Sequence, residues 1–145
     1  MGYSTTFVGE LKFAEELTAT QLAAINAILG EDVRDHPDWE HDPKAYCSYI
    51  DLVLLRDFSG IKWDDTTEKT YGLWESVNIV TRLMRKQWPD FRLVGHLNAQ
   101  GEDYEDRWSL VLDADGWATK QEIVIPGARV ECPHCQHKFI VETPA

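Results

Sequence analysis

The stretch YGLWESVNIVTRLMRKQWP, residues 71–89, reads as the principal helix of the chain. Leu73, Val77, Val80, Met84 and Trp88 recur at three- and four-residue intervals and make one apolar stripe. Arg82, Arg85 and Lys86 stand toward its C-terminal end, where cations complement the helix dipole. Pro89 stops it. A single stripe has to be buried against something, and alternating segments on either side supply the sheet. Downstream, residues 91–99 set Leu93, Gly95, Leu97 and Ala99 in phase, and residues 107–112 do the same with Trp108, Leu110 and Leu112. Asp113-Ala114-Asp115-Gly116 is a hairpin turn in which Gly116 is free to take a positive φ, and residues 117–125 return as a strand. Upstream, residues 3–13 alternate through Phe7, Gly9, Leu11 and Phe13.

The region between carries a second, shorter helix. Thr18 and Gln21 have capping-box spacing, Leu22, Ile25 and Leu29 recur at helical intervals, and Gly30 marks the stop. Residues 31–45 hold two prolines and many acids and read as an irregular loop. Residues 46–55 are apolar on both sides, the pattern of a central strand covered on both faces. Residues 58–63 are its antiparallel partner, turned at Ser59-Gly60. The order β, α, β, β, α, β, β, β predicts an α+β fold. Its expected form is a mainly antiparallel sheet with two helices on one face, ferredoxin-like and extended by a hairpin. Phe7-Val8-Gly9-Glu10-Leu11 is echoed by Leu93-Val94-Gly95-His96-Leu97, but five residues do not make a repeat. Residues 1–125 form this domain, and residues 126–145 follow Pro126-Gly127 as a cysteine-bearing tail.

The formal net charge of the 145 residues is −11. Residues 31–44 hold six acids and two bases, and residues 101–115 six acids and one base, so these two stretches carry −4 and −5. Such a field disfavours direct phosphate binding and suits a partner with a basic surface. Asp35 and Asp38 in the first stretch and Glu102, Asp103, Glu105 and Asp106 in the second are the candidate partner-binding residues. No run approaches the ~20 apolar residues of a membrane span. Three cysteines cannot all pair within the chain, which points to a reducing, cytoplasmic setting.

The sharpest local motif is Cys132-Pro133-His134-Cys135-Gln136-His137. Two cysteines at this spacing can turn both sulfurs toward one metal ion, and Val130 and residues 139–141 read as the arms of a hairpin around them. Over about its last 16 residues the chain resembles the knuckle of zinc ribbons and rubredoxin-like modules. A structural zinc site takes four ligands, and no second cysteine pair follows. Three completions stay open. His137 or His134 could add a local ligand, Cys47 with His36 or His41 could reach over from the body, or two chains could each give Cys132 and Cys135 across a homodimer. Cys47 lies in an apolar stretch and reads equally as a buried, inert thiol.

Signatures of catalysis are absent: there is no Gly-rich phosphate loop, nucleophile elbow or zincin motif. Asp113-Ala114-Asp115-Gly116 lacks the further ligands of a calcium loop. Phe7, Trp108 and Trp117 are available for stacking on single-stranded nucleic acid, but few bases accompany them.

Met1-Gly2-Tyr3 with Gly9-Glu10-Leu11, and Gly95-His96-Leu97-Asn98-Ala99-Gln100-Gly101-Glu102-Asp103 with Asp106-Arg107-Trp108, resemble a group of small uncharacterised proteins of bacteria and their phages over residues 1–125. The resemblance implies a phage or prophage accessory setting, hence the host cytoplasm, and carries over no catalytic residue. The leading expectation is a non-enzymatic acidic protein that binds a macromolecular partner; inhibition of a host nucleic-acid-binding or defence protein is one version. A zinc-stabilised assembly module, dimerised through its tail, is the second. An enzyme with an unrecognised acidic site is the third.

Overall fold

The computed structural model describes residues 3–40, 47–67 and 69–123, and the backbone of residues 128–131 and 138–141. The chain runs β1 (Thr5–Phe13), α1 (Ala19–Asn26), β2 (Leu52–Leu54), β3 (Gly60–Trp63), α2 (Leu73–Arg85), β4 (Leu93–Gly101), β5 (Arg107–Leu112) and β6 (Ala118–Glu122). These six strands form one antiparallel sheet in the order β2-β3-β1-β4-β5-β6. A separate two-stranded sheet pairs β7 (Ala128–Glu131) with β8 (Lys138–Val141).

Alternation along the strands puts one face of the sheet into the core. Phe7, Leu11 and Phe13 of β1, Leu93, Leu97 and Ala99 of β4, and Trp108 and Leu110 of β5 are buried, and Ile25, Val77, Val80 and Met84 from the helices join the same cluster. The opposite face carries the exposed Val8, Glu10, Lys12, Val94, His96 and Asn98. The α2 stripe is buried as its spacing predicts, with Leu73, Val77 and Val80 fully enclosed. Trp88 is partly buried, in a last turn closed by its N–H donating to the Met84 carbonyl at 2.9 Å. Thr18 and Gln21 form the capping box of α1.

Four local readings change. The expected central strand at residues 46–55 is not found: among its described residues, 47–55, the strand is only Leu52–Leu54 and lies at the sheet edge. The two-sided apolar pattern has another cause. Residues 48–50 exchange backbone hydrogen bonds with residues 30–33, and Cys47 and Ile50 point into the core. The turn before β3 falls at Arg56-Asp57 and not at Ser59-Gly60: the Phe58 N–H donates to the Leu55 carbonyl at 3.0 Å, and Phe58 takes φ 61. Gly60 belongs to the strand, because a Cβ there would stand 2.0 Å from the Leu11 carbonyl oxygen of β1. The acidic loop contains two short 3-10 turns, Val33–Asp35 and Pro37–Trp39.

The pentapeptide echo has a structural counterpart. The two segments are neighbouring strands in which Gly9 faces Leu97, Gly95 faces Leu11, and Glu10 faces His96 at the midpoint. Both glycines hold positive φ, 116° and 112°, and a Cβ on either would lie 3.0 Å from a carbonyl oxygen of the partner strand. Close backbone approach at the centre of the sheet requires a glycine from each strand.

Candidate functional site

The register divides the acids of residues 101–115 between opposite ends of β5. Glu102, Asp103, Glu105 and Asp106 lie in the β4–β5 turn, and Asp113 and Asp115 in the β5–β6 turn. They are two sites and not one patch.

The first turn is held by the N-terminus of the chain. The Tyr3 hydroxyl donates to Asp106 Oδ2 at 2.7 Å and accepts from the Asp103 N–H at 3.0 Å, and the Ser4 N–H donates to Glu102 Oε1 at 2.8 Å. Burial raises the Tyr3 hydroxyl pKa above its usual value, the Asp103 N–H lowers it and the carboxylates raise it further. Gln100 Nε2 donates to the carbonyls of Gly101, Asp103 and Asp106. Gly101 carries no side chain because a Cβ would collide with the Asp106 carboxylate and the Tyr3 hydroxyl. Two of the four carboxylates therefore fix the turn itself. Glu102 and Asp103 are exposed, and Glu105 and Asp106 half-buried.

The loop at residues 31–40 is anchored from within and from α2. Val33 is buried, and the Asp32 carboxylate binds the Arg34 guanidinium through both oxygens at 2.9 and 2.8 Å. That pairing holds Asp32 down to about 2. His36 stacks on Trp39 at 3.9 Å, with Nε2 3.4 Å from Glu31 Oε1. Arg82 of α2 donates to the carbonyls of Trp39 and Glu40 at 2.6 and 3.3 Å. Asp35 and Asp38 stand exposed on this frame.

Cys47 is buried, with its N–H 3.4 Å from Glu75 Oε2 at the start of α2. Burial pushes its thiol up to about 11, while the Ser76 hydroxyl pulls the other way. At neutral pH the sulfur keeps its proton. Cys132, Cys135 and His137 lie outside the described residues, as do His41 and His134. Among the described residues, no group of three His, Cys, Asp or Glu side chains is placed to hold a metal ion. No helix among them is long and apolar enough to cross a membrane.

Phe7 and Trp108 do not face a ligand surface. Phe7 packs on Trp63 at 5.4 Å and on Trp108 at 5.5 Å, and Trp108 meets Trp74 edge-on at 5.5 Å, all on the core side of the sheet. Lys120 lies over the Trp74 and Trp108 rings at 5.7 and 5.1 Å. The Asp113–Gly116 segment is a closed hairpin turn: Asp113 Oδ1 accepts from the N–H groups of Asp115 and Trp117, each at 2.9 Å. Arg85 spans this turn from α2, over the Trp117 ring and onto the Asp115 carbonyl.

Asp51 escaped the sequence reading. It lies part-buried beside β2 and accepts from the Thr70 hydroxyl at 2.9 Å; that hydroxyl in turn accepts from Trp63 Nε1 at 2.8 Å. Burial raises the Asp51 carboxyl pKa, the Thr70 bond lowers it and nearby Asp64 raises it again. The network ties the strand edge to the segment entering α2. Its only sequence signal was one acid at the head of the apolar run 52–55.

Comparison with family models, curated proteins and solved structures finds no match to the chain.

Proposed function

We propose that the protein is a non-enzymatic binding module whose acidic surface docks on a basic surface of a larger partner. In a phage or prophage setting the partner is a host nucleic-acid-binding or defence protein, and the phage setting rests on the sequence resemblance alone. The fold reading that goes with it is ferredoxin-like: β2-β3-β1-β4 with α1 and α2 as crossovers, extended by the β5–β6 hairpin.

The observation that carries the proposal is unmatched charge on fixed frames. Twenty-five acids against fourteen bases leave eleven carboxylates with no basic counterpart in the chain. Asp35, Asp38, Glu102 and Asp103 are exposed on segments already ordered by hydrogen bonds. Charges held this way lose little further freedom on binding.

The test uses a purified bacterial nucleoid protein loaded with labelled duplex DNA. The acidic protein is expected to displace the DNA, with affinity falling steeply between about 50 and 300 mM salt. Asp35→Lys combined with Asp38→Lys is expected to weaken displacement about tenfold or more without moving the melting temperature. Displacement indifferent to salt, or to these two changes, removes the electrostatic reading.

A second reading has one observation in its favour. The β7 and β8 backbones pair in continuous register, Ala128 opposite Val141 through Glu131 opposite Lys138, and bracket the six residues that hold Cys132 and Cys135. A zinc knuckle sits on such a hairpin, and two chains would complete its ligand set.

A further inference from the structure

We propose that the apolar groove between the start of α1 and the β2–β3 turn is a docking site for a basic peptide segment with an apolar anchor. This rests on the partner reading above and names where such a partner would be gripped.

The groove floor is Phe13, Leu17 and Leu22, and Phe58 forms one wall. Phe58 is 57% exposed and is held at φ 61, a conformation that bulky residues avoid. Packing in the core does not explain an aromatic there. A turn serving only to reverse the chain would favour Gly or Asn at that position. Aromatic side chains supply much of the binding energy at interfaces, so an exposed one on a strained turn is a candidate anchor wall.

The rim supplies the sign of the occupant. Glu16 and Asp57 flank the groove. A second depression shares Glu16 and Leu17 with it and continues past Trp88 and Phe91, bordered by Glu15 and Asp90. Asp57 is held below the usual carboxylate range, first by the Ser59 hydroxyl and then by the Ser59 N–H. Among the described residues Arg92 is the one base lining the two depressions, and Lys12 stands behind the rim with its Nζ donating to Ser59 Oγ at 2.9 Å. Four carboxylates against these two bases leave the rim net negative around an apolar floor, which fits lysines or arginines flanking an apolar side chain.

The probe is a fluorescent synthetic peptide with four lysines around a central Leu-Phe pair, and a control with glutamates in place of the lysines. The full chain is expected to bind the first and not the second. Phe58→Asn keeps a residue that tolerates positive φ, so the turn folds while the aromatic is lost. It is expected to weaken binding about tenfold or more with an unchanged or higher melting temperature. Glu16→Lys is expected to weaken binding and to flatten its salt dependence. Equal binding of both peptides, or undiminished binding by Phe58→Asn, overturns the groove. So does sedimentation showing a dimer that Phe58→Asn converts to monomer, since a second copy would then be the occupant. If Phe58→Asn binds the basic peptide normally while Asp35→Lys with Asp38→Lys still abolishes DNA displacement, the groove fails and the acidic-surface proposal stands.

Discussion

Asp32 and Asp51 are carboxylates of one region whose surroundings drive them apart. Arg34 holds Asp32 at about 2, against 3.8 for the free group. Its contribution to stability is present above the unfolded value and is lost as pH falls through about 2. Asp51 moves the other way, because burial penalises its charged form. Its folded state holds the proton more tightly, so that contribution is present at low pH and is lost as pH rises through the raised folded value. Asp51→Asn keeps an oxygen for the Thr70 hydroxyl and removes the charge. Relative to the parent it is expected to stabilise at pH 7 and to have little effect at pH 3, measured by urea denaturation at both. An equal effect at the two pH values would show that the buried charge is not what the substitution relieves. Asp32 meets a partner two positions away, Arg34, whereas the Asp51 environment was not legible from the chain, since its partner Thr70 stands 19 positions on. The same holds for Asp106, whose partner Tyr3 stands 103 positions away. The sequence shows four acids in a turn, and tertiary contact turns two of them into fasteners.

Among the elements, α2 shows what periodicity can and cannot deliver. Its apolar stripe was legible because burial follows the 3.6-residue period whatever lies opposite. Its polar positions were not. Arg82 and Arg85 read as partners of the helix dipole, yet they grip the carbonyls of Trp39, Phe91 and Asp115. Asn78 had no reading at all. Its amide donates to the Ala118 carbonyl at 2.9 Å and accepts from the Ala118 N–H at 2.7 Å, pairing with edge strand β6 as another peptide would. Asn78→Ala removes both bonds, worth about 1–3 kcal/mol together. It regains about 0.5 kcal/mol of helix propensity. The net is a loss, and amide exchange in β6 is expected to accelerate more than exchange in β4. Uniform acceleration across the sheet would mean that Asn78 supports the core and not the edge. The misreading of residues 46–55 is of the same kind. Apolar residues on both sides announce burial on both sides, but they do not say whether strands or a helix and a loop provide it.

At the scale of the whole molecule, the charge that looked like two blocks is spread over three places, and the cysteines divide in the same way between body and tail. Cys47 is enclosed in the core with its thiol pushed up to about 11, and a cysteine that binds zinc does so as the thiolate. Recruiting it would take both deprotonation and opening of the core. That weighs against Cys47 as a ligand from the body; of the other completions, His134 or His137 locally and two chains sharing one ion, the shared ion is the one proposed. Native mass spectrometry of the zinc-loaded protein is expected to give one zinc per dimer, falling to metal-free monomer with a strong chelator. Cys132→Ser with Cys135→Ser is expected to abolish both zinc and dimer and to leave the melting temperature of the six-stranded body unchanged. Cys47→Ala is expected to leave zinc content unchanged. One zinc per monomer, lost in Cys47→Ala, would reverse the assignment and place the metal between tail and body. A monomer that takes up no zinc would leave the β7–β8 hairpin without a metal role, and the acidic surfaces and the Phe58 groove as the features through which the protein meets a partner.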